Sequence, residues 1–178
     1  FILEDEAQDS SRLQELILQT LTGDTGNWVR VGDPNQAIFE SFTTASPEFL
    51  KKFLKRPDVI AKTLPNSGRS TLSIINLANE LIRWTNQDHP IYELRDALTK
   101  PYIEPTPKYD PQPNPEDDPN RIFIYHKPLT SEQELRHIVV SLKKWIPENL
   151  DKTVAVLVPR NSRGAKIVEA FQIGRAHV

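Results

Sequence analysis

Phe1-Ile2-Leu3-Glu4-Asp5-Glu6-Ala7-Gln8-Asp9 reads as the end of a buried strand that runs into a cluster of acids. In an open parallel sheet the carboxyl ends of the strands line the ligand crevice. An Asp at such an end can hold Mg²⁺, directly or through water, because that ion is hard, octahedral and keeps several of its waters. A neighbouring Glu can orient and deprotonate an attacking water. On this reading Asp5 is the magnesium residue and Glu6 the general base. Two acids alone would equally make a solvated loop capping the helix that follows.

The next stretches repeat the same grammar. Leu13, Leu16, Ile17 and Leu21 share a helical face, and Trp28 to Val31 is a short strand that ends at Gly32-Asp33. Val29-Arg30-Val31-Gly32-Asp33-Pro34-Asn35-Gln36-Ala37-Ile38-Phe39 is therefore a second strand entering a polar loop, one helix downstream. Both strand ends would face one crevice, where Gln36 could hydrogen-bond an attacking water and a terminal phosphate. Taken alone, Asp-Pro-Asn is also an ordinary turn. Asn66-Ser67-Gly68-Arg69-Ser70 follows a strand predicted at Val59 to Leu64. Arg69 stands where the chain enters a helix. An Arg aimed at a transferring phosphoryl group can be worth ~10³–10⁵ in rate, although a surface Arg beside a capping Ser has the same local pattern.

Elsewhere, Ser46-Pro47-Glu48 is a helix start with Pro at the first helical position. Ser70 is the expected cap of a long helix, and its apolar residues (Leu72, Ile74, Ile75, Leu77, Ala78, Leu81, Ile82) cover more than one stripe, which predicts wide burial. Positions 101–119 hold seven of the 15 prolines and read as an extended connection. Strand Ile122 to Tyr125, helix Ser131 to Ile146, strand Val154 to Val158 and helix Ser162 to Phe171 complete the order. Alternating strands and helices predict an α/β protein with a parallel sheet.

These elements resemble the UvrD/Rep/PcrA group of superfamily 1 helicases. Asp5-Glu6-Ala7-Gln8-Asp9 matches the DExQD motif II, and Gly32-Asp33-Pro34-Asn35-Gln36-Ala37-Ile38-Phe39 is similar to the GDxxQxIY of motif III. Arg69-Ser70 looks like the end of the NYRS motif IV. The resemblance implies parts of two RecA-like, parallel-sheet domains of a P-loop NTPase motor. Residues 1–57 would close the first domain and residues 58–172 would begin the second. It implies an ATP-dependent DNA helicase, a hydrolase moving 3′ to 5′ on single-stranded DNA and acting on duplex DNA, with ATP and Mg²⁺ as cofactors and DNA repair among its settings. The implied catalytic residues are Glu6, Gln36 and Arg69. Asp5 holds Mg²⁺, and Asp5, Gln8 and Asp33 belong to the nucleotide site. Phe39 and Phe42 would stack on DNA bases, a sequence-tolerant contact worth ~1–3 kcal/mol per base; two core phenylalanines are the competing reading.

Three positions depart from the family pattern. Gly68 replaces a Tyr that stacks on adenine, Thr43-Thr44 replaces an Arg-Gly, and Glu4 stands where an apolar strand residue is usual, although at a strand end it could face solvent. No GxxxxGK[ST] phosphate loop occurs in the 178 residues, so the isolated chain is expected to lack ATPase activity. A chain opening at a motif without Met is expected to be internal to a longer protein. Residues 173–178, Ile-Gly-Arg-Ala-His-Val, resemble an in-frame translated sequencing adapter and are set aside from fold reasoning. An ATPase-dead DNA-binding relative and the motor of a helicase-nuclease are the alternative readings.

Composition narrows the classes further. Cys is absent, so disulfides, thiolate metal sites and Cys nucleophiles are excluded, and the four His form no ligand-spaced pair. A formal charge of −2 makes any DNA contact a local one. No apolar run approaches the roughly 18 residues of a membrane span, which points to a cytoplasmic protein.

Overall fold

The computed structural model describes residues 1–24, 26–37 and 45–173. Phe39, Phe42 and Thr43-Thr44 lie outside the described residues. Two compact units divide the chain, Phe1–Phe123 and Ile124–Val178.

The first unit is founded on a parallel strand pair, β1 (Ile2–Glu4) and β2 (Trp28–Arg30), in register Ile2↔Trp28, Leu3↔Val29 and Glu4↔Arg30. Parallel strands cannot be joined by a tight turn. Helix α1 (Arg12–Thr22) makes the crossover. Its start is fixed by a reciprocal capping box, with the Ser11 hydroxyl accepting from Gln14 N–H and the Gln14 side chain accepting from Ser11 N–H. The helix and the strand expected here from periodicity are both present. The burial is not as expected: Leu3 is 66 % exposed, whereas Glu4 is 9 % exposed and faces inward.

Glu4 is tolerated inside because every side of its carboxylate meets a donor. Arg30 Nε lies 2.7 Å from Glu4 Oε2, and Arg30 Nη2 donates to Glu4 Oε1 at 3.2 Å. Trp28 Nε1 donates to Oε2 at 3.1 Å, and the Ser10 hydroxyl donates to Oε1. Arg30 reaches on to Glu15 of α1 at 3.2 Å. Its guanidinium lies 4.7 Å from the Trp28 ring centroid and 5.0 Å from that of Phe53. Glu4, which at a strand end could have faced solvent, is thus buried and engaged.

Phe53 comes from α2 (Pro47–Leu54), which starts as its sequence predicts: Pro47 is at the first helical position and the Ser46 hydroxyl accepts from Glu48 N–H. Leu50 and Phe53 are its buried residues and complete the core against Ala7 and Ala45.

The long helix α3 (Leu72–Asp88) begins one residue later than the expected cap. Its N-cap is Thr71, whose side chain makes no capping bond. Asp117 takes that role from the Pro-rich connection, accepting from Ser73 N–H at 3.0 Å and from the Ser73 hydroxyl at 2.7 Å. Burial is confined to Ile75, Ile82 and Thr85, while Leu72, Ile74, Leu77 and Leu81 are 43–55 % exposed. One stripe at i, i+7 therefore packs, and the wide burial expected from composition is not found.

Residues 101–119 are extended but anchored. β3 (Asn66–Ser67) pairs in parallel with β4 (Glu104–Pro105). Asn114 accepts from Thr106 N–H and donates to the carbonyl oxygens of Ser67 and Ser70. In place of the strand expected over 59–64, the chain there has no ladder partner among the described residues, and Ile60 and Leu64 are 86 % and 84 % exposed.

In the second unit, α4 (Ser131–Glu148) and α5 (Asn161–Ile173) pack with Val139 and Ile167 buried. A Thr130–Gln133 capping box opens α4, and Arg163 bonds Ser131 O at 2.8 Å and Glu134 at 2.6 Å. The strands expected at 122–125 and 154–158 are likewise unpaired among the described residues. Apolar, β-branched sequence supplies a preference for extended backbone, but a strand exists only where a neighbour accepts its ladder bonds.

Removing one partner of a buried ion pair strands the other charge. Arg30→Met is therefore expected to lower stability by roughly 3–5 kcal/mol, read from urea unfolding followed by tryptophan fluorescence. Asp117 gives a pH signature. The Ser73 N–H and hydroxyl hold its carboxyl below the usual carboxylate range. A depressed folded pKa means that this stabilisation is complete above the unfolded value of about 4 and is lost as pH falls through the lower folded value. Asp117→Asn should flatten the acid limb of thermal stability between those two values; an unchanged acid limb would dismiss the cap.

Candidate functional site

The acid pair projects because of one residue just past the neighbouring strand β2. Val31 N–H donates to Glu4 O at 2.8 Å, and Val31 O accepts from Ala7 N–H at 2.9 Å. Between those two bonds the chain leaves β1 and returns, so Asp5 and Glu6 stand out from the sheet as an exposed two-residue excursion. The geometry forces Glu6 to φ 52°, ψ 40°, a left-handed conformation that few non-glycine residues adopt and that persists only when its surroundings over-determine it. Glu6 N–H is turned onto Asp5 Oδ1 at 3.0 Å.

Gln8 holds the excursion from behind. It is 2 % exposed, in the single 3₁₀ turn Ala7–Asp9. Its amide nitrogen donates to Glu6 Oε2 at 2.8 Å, and its amide oxygen accepts from Asp33 N–H at 3.1 Å. One side chain thus joins the acid loop to the loop after β2. That junction needs Gly32. A Cβ there would meet Gln8 Oε1 at 2.6 Å and Ala7 N at 3.0 Å.

Asp33 organises the second loop, the 3₁₀ turn Pro34–Gln36. One carboxylate oxygen accepts from Asn35 N–H at 2.9 Å, and the other accepts from Gln36 Nε2 at 2.9 Å. The Gln36 side chain is therefore fixed through one of its two N–H donors, which leaves the other N–H and the carbonyl oxygen for further contacts. From Glu6 to Gln36 there is an unbroken series of hydrogen bonds through Gln8 and Asp33.

A cleft of about 2030 Å³ in the first unit is lined by Asp5, Glu6, Asp33, Gln36, Arg69 and Lys100, among others. Five of the residues singled out from the sequence share this cleft, whereas Gln8 lies behind it. Arg69 is exposed, and among the described residues it makes no ion pair. Phe39 and Phe42 lie outside the described residues. At Gly68 a Cβ would meet Gln112 O at 2.4 Å, so the Pro-rich connection occupies the space that an aromatic side chain would need.

The donor set suits a hard cation bound in part by its own waters. Asp5 offers an exposed carboxylate, and among the described residues no group of three His, Asp or Glu could enclose a metal by itself. Mg²⁺ typically takes one or two carboxylates together with waters and phosphate oxygens, and a single exposed Asp at the edge of an open cleft fits that pattern. Among the described residues no helix is long and apolar enough to cross a membrane.

Sequence reasoning missed the bridging geometry of Gln8, the buried Glu4–Arg30–Glu15 cluster, and Asn35. The signal for the first was its spacing inside the acidic motif. For the cluster it was an unlike-charge pair at the ends of two adjacent strands, Glu4 and Arg30.

Residues 1–58 match the family described as the UvrD/REP helicase N-terminal domain. The chain is 44 % identical over 79 residues to the ATP-dependent DNA helicase UvrD2 of Mycobacterium tuberculosis H37Rv, covering 44 % of this chain and 11 % of that protein. It is 43 % identical over 83 residues to DNA helicase II of Haemophilus influenzae, with 46 % and 11 % covered. With DNA helicase II of Escherichia coli K12 it shares 37 % over 86 residues, 48 % and 12 % being covered. The chain spans about a ninth of the length of the curated relatives it matches. These similarities liken residues 1–58 to the N-terminal domain of UvrD-type helicases and, with the α helices and small parallel sheets, are consistent with an α/β fold of the RecA-like kind.

Gly32→Ala should displace Gln8, break its bond to Asp33 N–H and cost about 1–3 kcal/mol. The change is measurable as a lower urea midpoint with an unaltered slope. An unchanged midpoint would show that Gln8 does not pack against Gly32.

Proposed function

We propose that this chain is part of an ATP-dependent DNA helicase that moves 3′ to 5′ on single-stranded DNA. Residues 1–57 close one RecA-like domain in this reading, and residues 58–172 open the second. The observation that carries the proposal is the convergence of Asp5, Glu6, Asp33, Gln36 and Arg69 on one cleft.

The side chains divide the work of phosphoryl transfer. Asp5 would hold Mg²⁺, which would supply positive charge against that of the phosphates. Glu6 takes the proton of the attacking water. Its orientation is set by the Gln8 amide on Oε2, which leaves the other carboxylate oxygen to face the water. Gln36, anchored to Asp33 through one Nε2 hydrogen, presents its carbonyl oxygen to the same water and its second N–H to a phosphate oxygen. That amide can therefore register whether a terminal phosphate and its water are in place. Asp33 serves the nucleotide through this anchoring. Arg69, unpaired among the described residues, neutralises charge that develops on the transferred phosphoryl group; such an Arg is worth ~10³–10⁵ in rate. Phe39 and Phe42 follow the Gln36 loop in sequence and supply stacking surfaces for DNA bases.

Glu6→Gln in the full-length protein is expected to abolish DNA-stimulated ATP hydrolysis while nucleotide binding persists, measured by phosphate release and by equilibrium binding of a fluorescent ATP analogue. Loss of binding instead would make Glu6 structural. Arg69→Ala should lower kcat by at least about 10³ with DNA affinity little changed; parallel losses would remove it from the reaction.

A further inference from the structure

The turn that holds Gln36 is also fastened to a distant part of the chain. Asn35 Nδ2 donates to Thr99 O at 2.8 Å, and Asn35 Oδ1 accepts from Thr99 N–H at 2.7 Å and from the Thr99 hydroxyl at 3.1 Å. A side-chain amide that satisfies both backbone groups of one residue imitates a β-bridge. The same device recurs four residues on, where Asn79 Nδ2 donates to Ile103 O and Asn79 Oδ1 accepts from Ile103 N–H, both at 2.8 Å. Glu104 N–H then donates to Pro65 O at 2.8 Å, next to the β3–β4 pairing.

Strip 99–103 is therefore pinned at one end to the Asp33–Gln36 turn and at the other to α3. Between the pins, Lys100 and Tyr102 line the cleft that holds the acids, with Lys100 Nζ 5.6 Å from the Tyr102 ring centroid. Asn35 and Gln36 are adjacent in one short 3₁₀ turn whose backbone and side chains are both held by Asp33. A turn of three residues cannot shift at Gln36 and stay fixed at Asn35.

We infer that Asn35 is a positioning residue that couples the Gln36 turn to strip 99–103, so that filling the acid end of the cleft alters the wall bearing Lys100 and Tyr102. The inference rests on the nucleotide reading above. A two-way clamp, rather than a packing contact, suits coupling because hydrogen bonds fix direction as well as distance.

The test uses the full-length protein and hydrogen exchange with and without Mg-ATPγS. In the wild type, nucleotide should slow exchange at 33–37 and at 99–103. In Asn35→Ala the protection at 33–37 should remain and that at 99–103 should vanish. The nucleotide-free variant should also exchange the Thr99 amide about tenfold faster, the equivalent of one lost hydrogen bond. Protection confined to 33–37 in the wild type, or transmitted unchanged in Asn35→Ala, overturns the coupling while leaving the nucleotide reading standing. No protection at either segment in the wild type overturns the nucleotide reading, and the coupling with it.

Discussion

Two backbone hydrogen bonds to Val31, one accepted by Glu4 and one given by Ala7, set the geometry on which the rest of the first unit depends. They continue the parallel ladder of β1 and β2 for one more step and, in doing so, expel Asp5 and Glu6 from it. Because the ladder resumes at Ala7, the acids cannot relax into the sheet. The positive φ of Glu6 is the local cost of that arrangement. Gln8 can then turn inward, where its single amide serves both loops.

The charge cluster beneath the strands explains how such an excursion remains anchored. Glu4 would be a liability in a strand packed only against apolar side chains. Here Arg30 is its direct register partner, and Glu15, Trp28 and Ser10 complete its surroundings. Trp28 and Phe53, with ring centroids 5.0 Å apart, both lie about 5 Å from the guanidinium and together shield it. Breaking such a pair is costly even where its net contribution is small, so the cluster fixes strand register more than it adds stability. It also ties α1, β1, β2 and α2 together at one point.

The regions that departed from expectation share a physical feature. Helices satisfy their own backbone, so α1, α2, α4 and α5 follow closely from periodicity and caps. Strands at 59–64, 122–125 and 154–158 depend on neighbours, and apolar sequence alone does not supply them. Cap chemistry can likewise be delivered from far away. Asp117, 44 residues downstream of Ser73, performs for α3 what Thr71 does not.

The sequence by itself determined the helices, the acidic and Asp-Pro-Asn-Gln loops at two strand ends, and the chemical types at Asp5, Glu6, Gln36 and Arg69, because each is written in local spacing. Only the tertiary structure decided that Glu4 is buried, that Gln8 works from behind the cleft, that Gly68 faces backbone where an aromatic would otherwise fit, and that Asn35 clasps Thr99. These depend on partners as far as 64 residues away. No local pattern encodes which of two strand faces is buried or which loop returns to touch another. That choice falls to whichever packing best satisfies the buried donors and acceptors together.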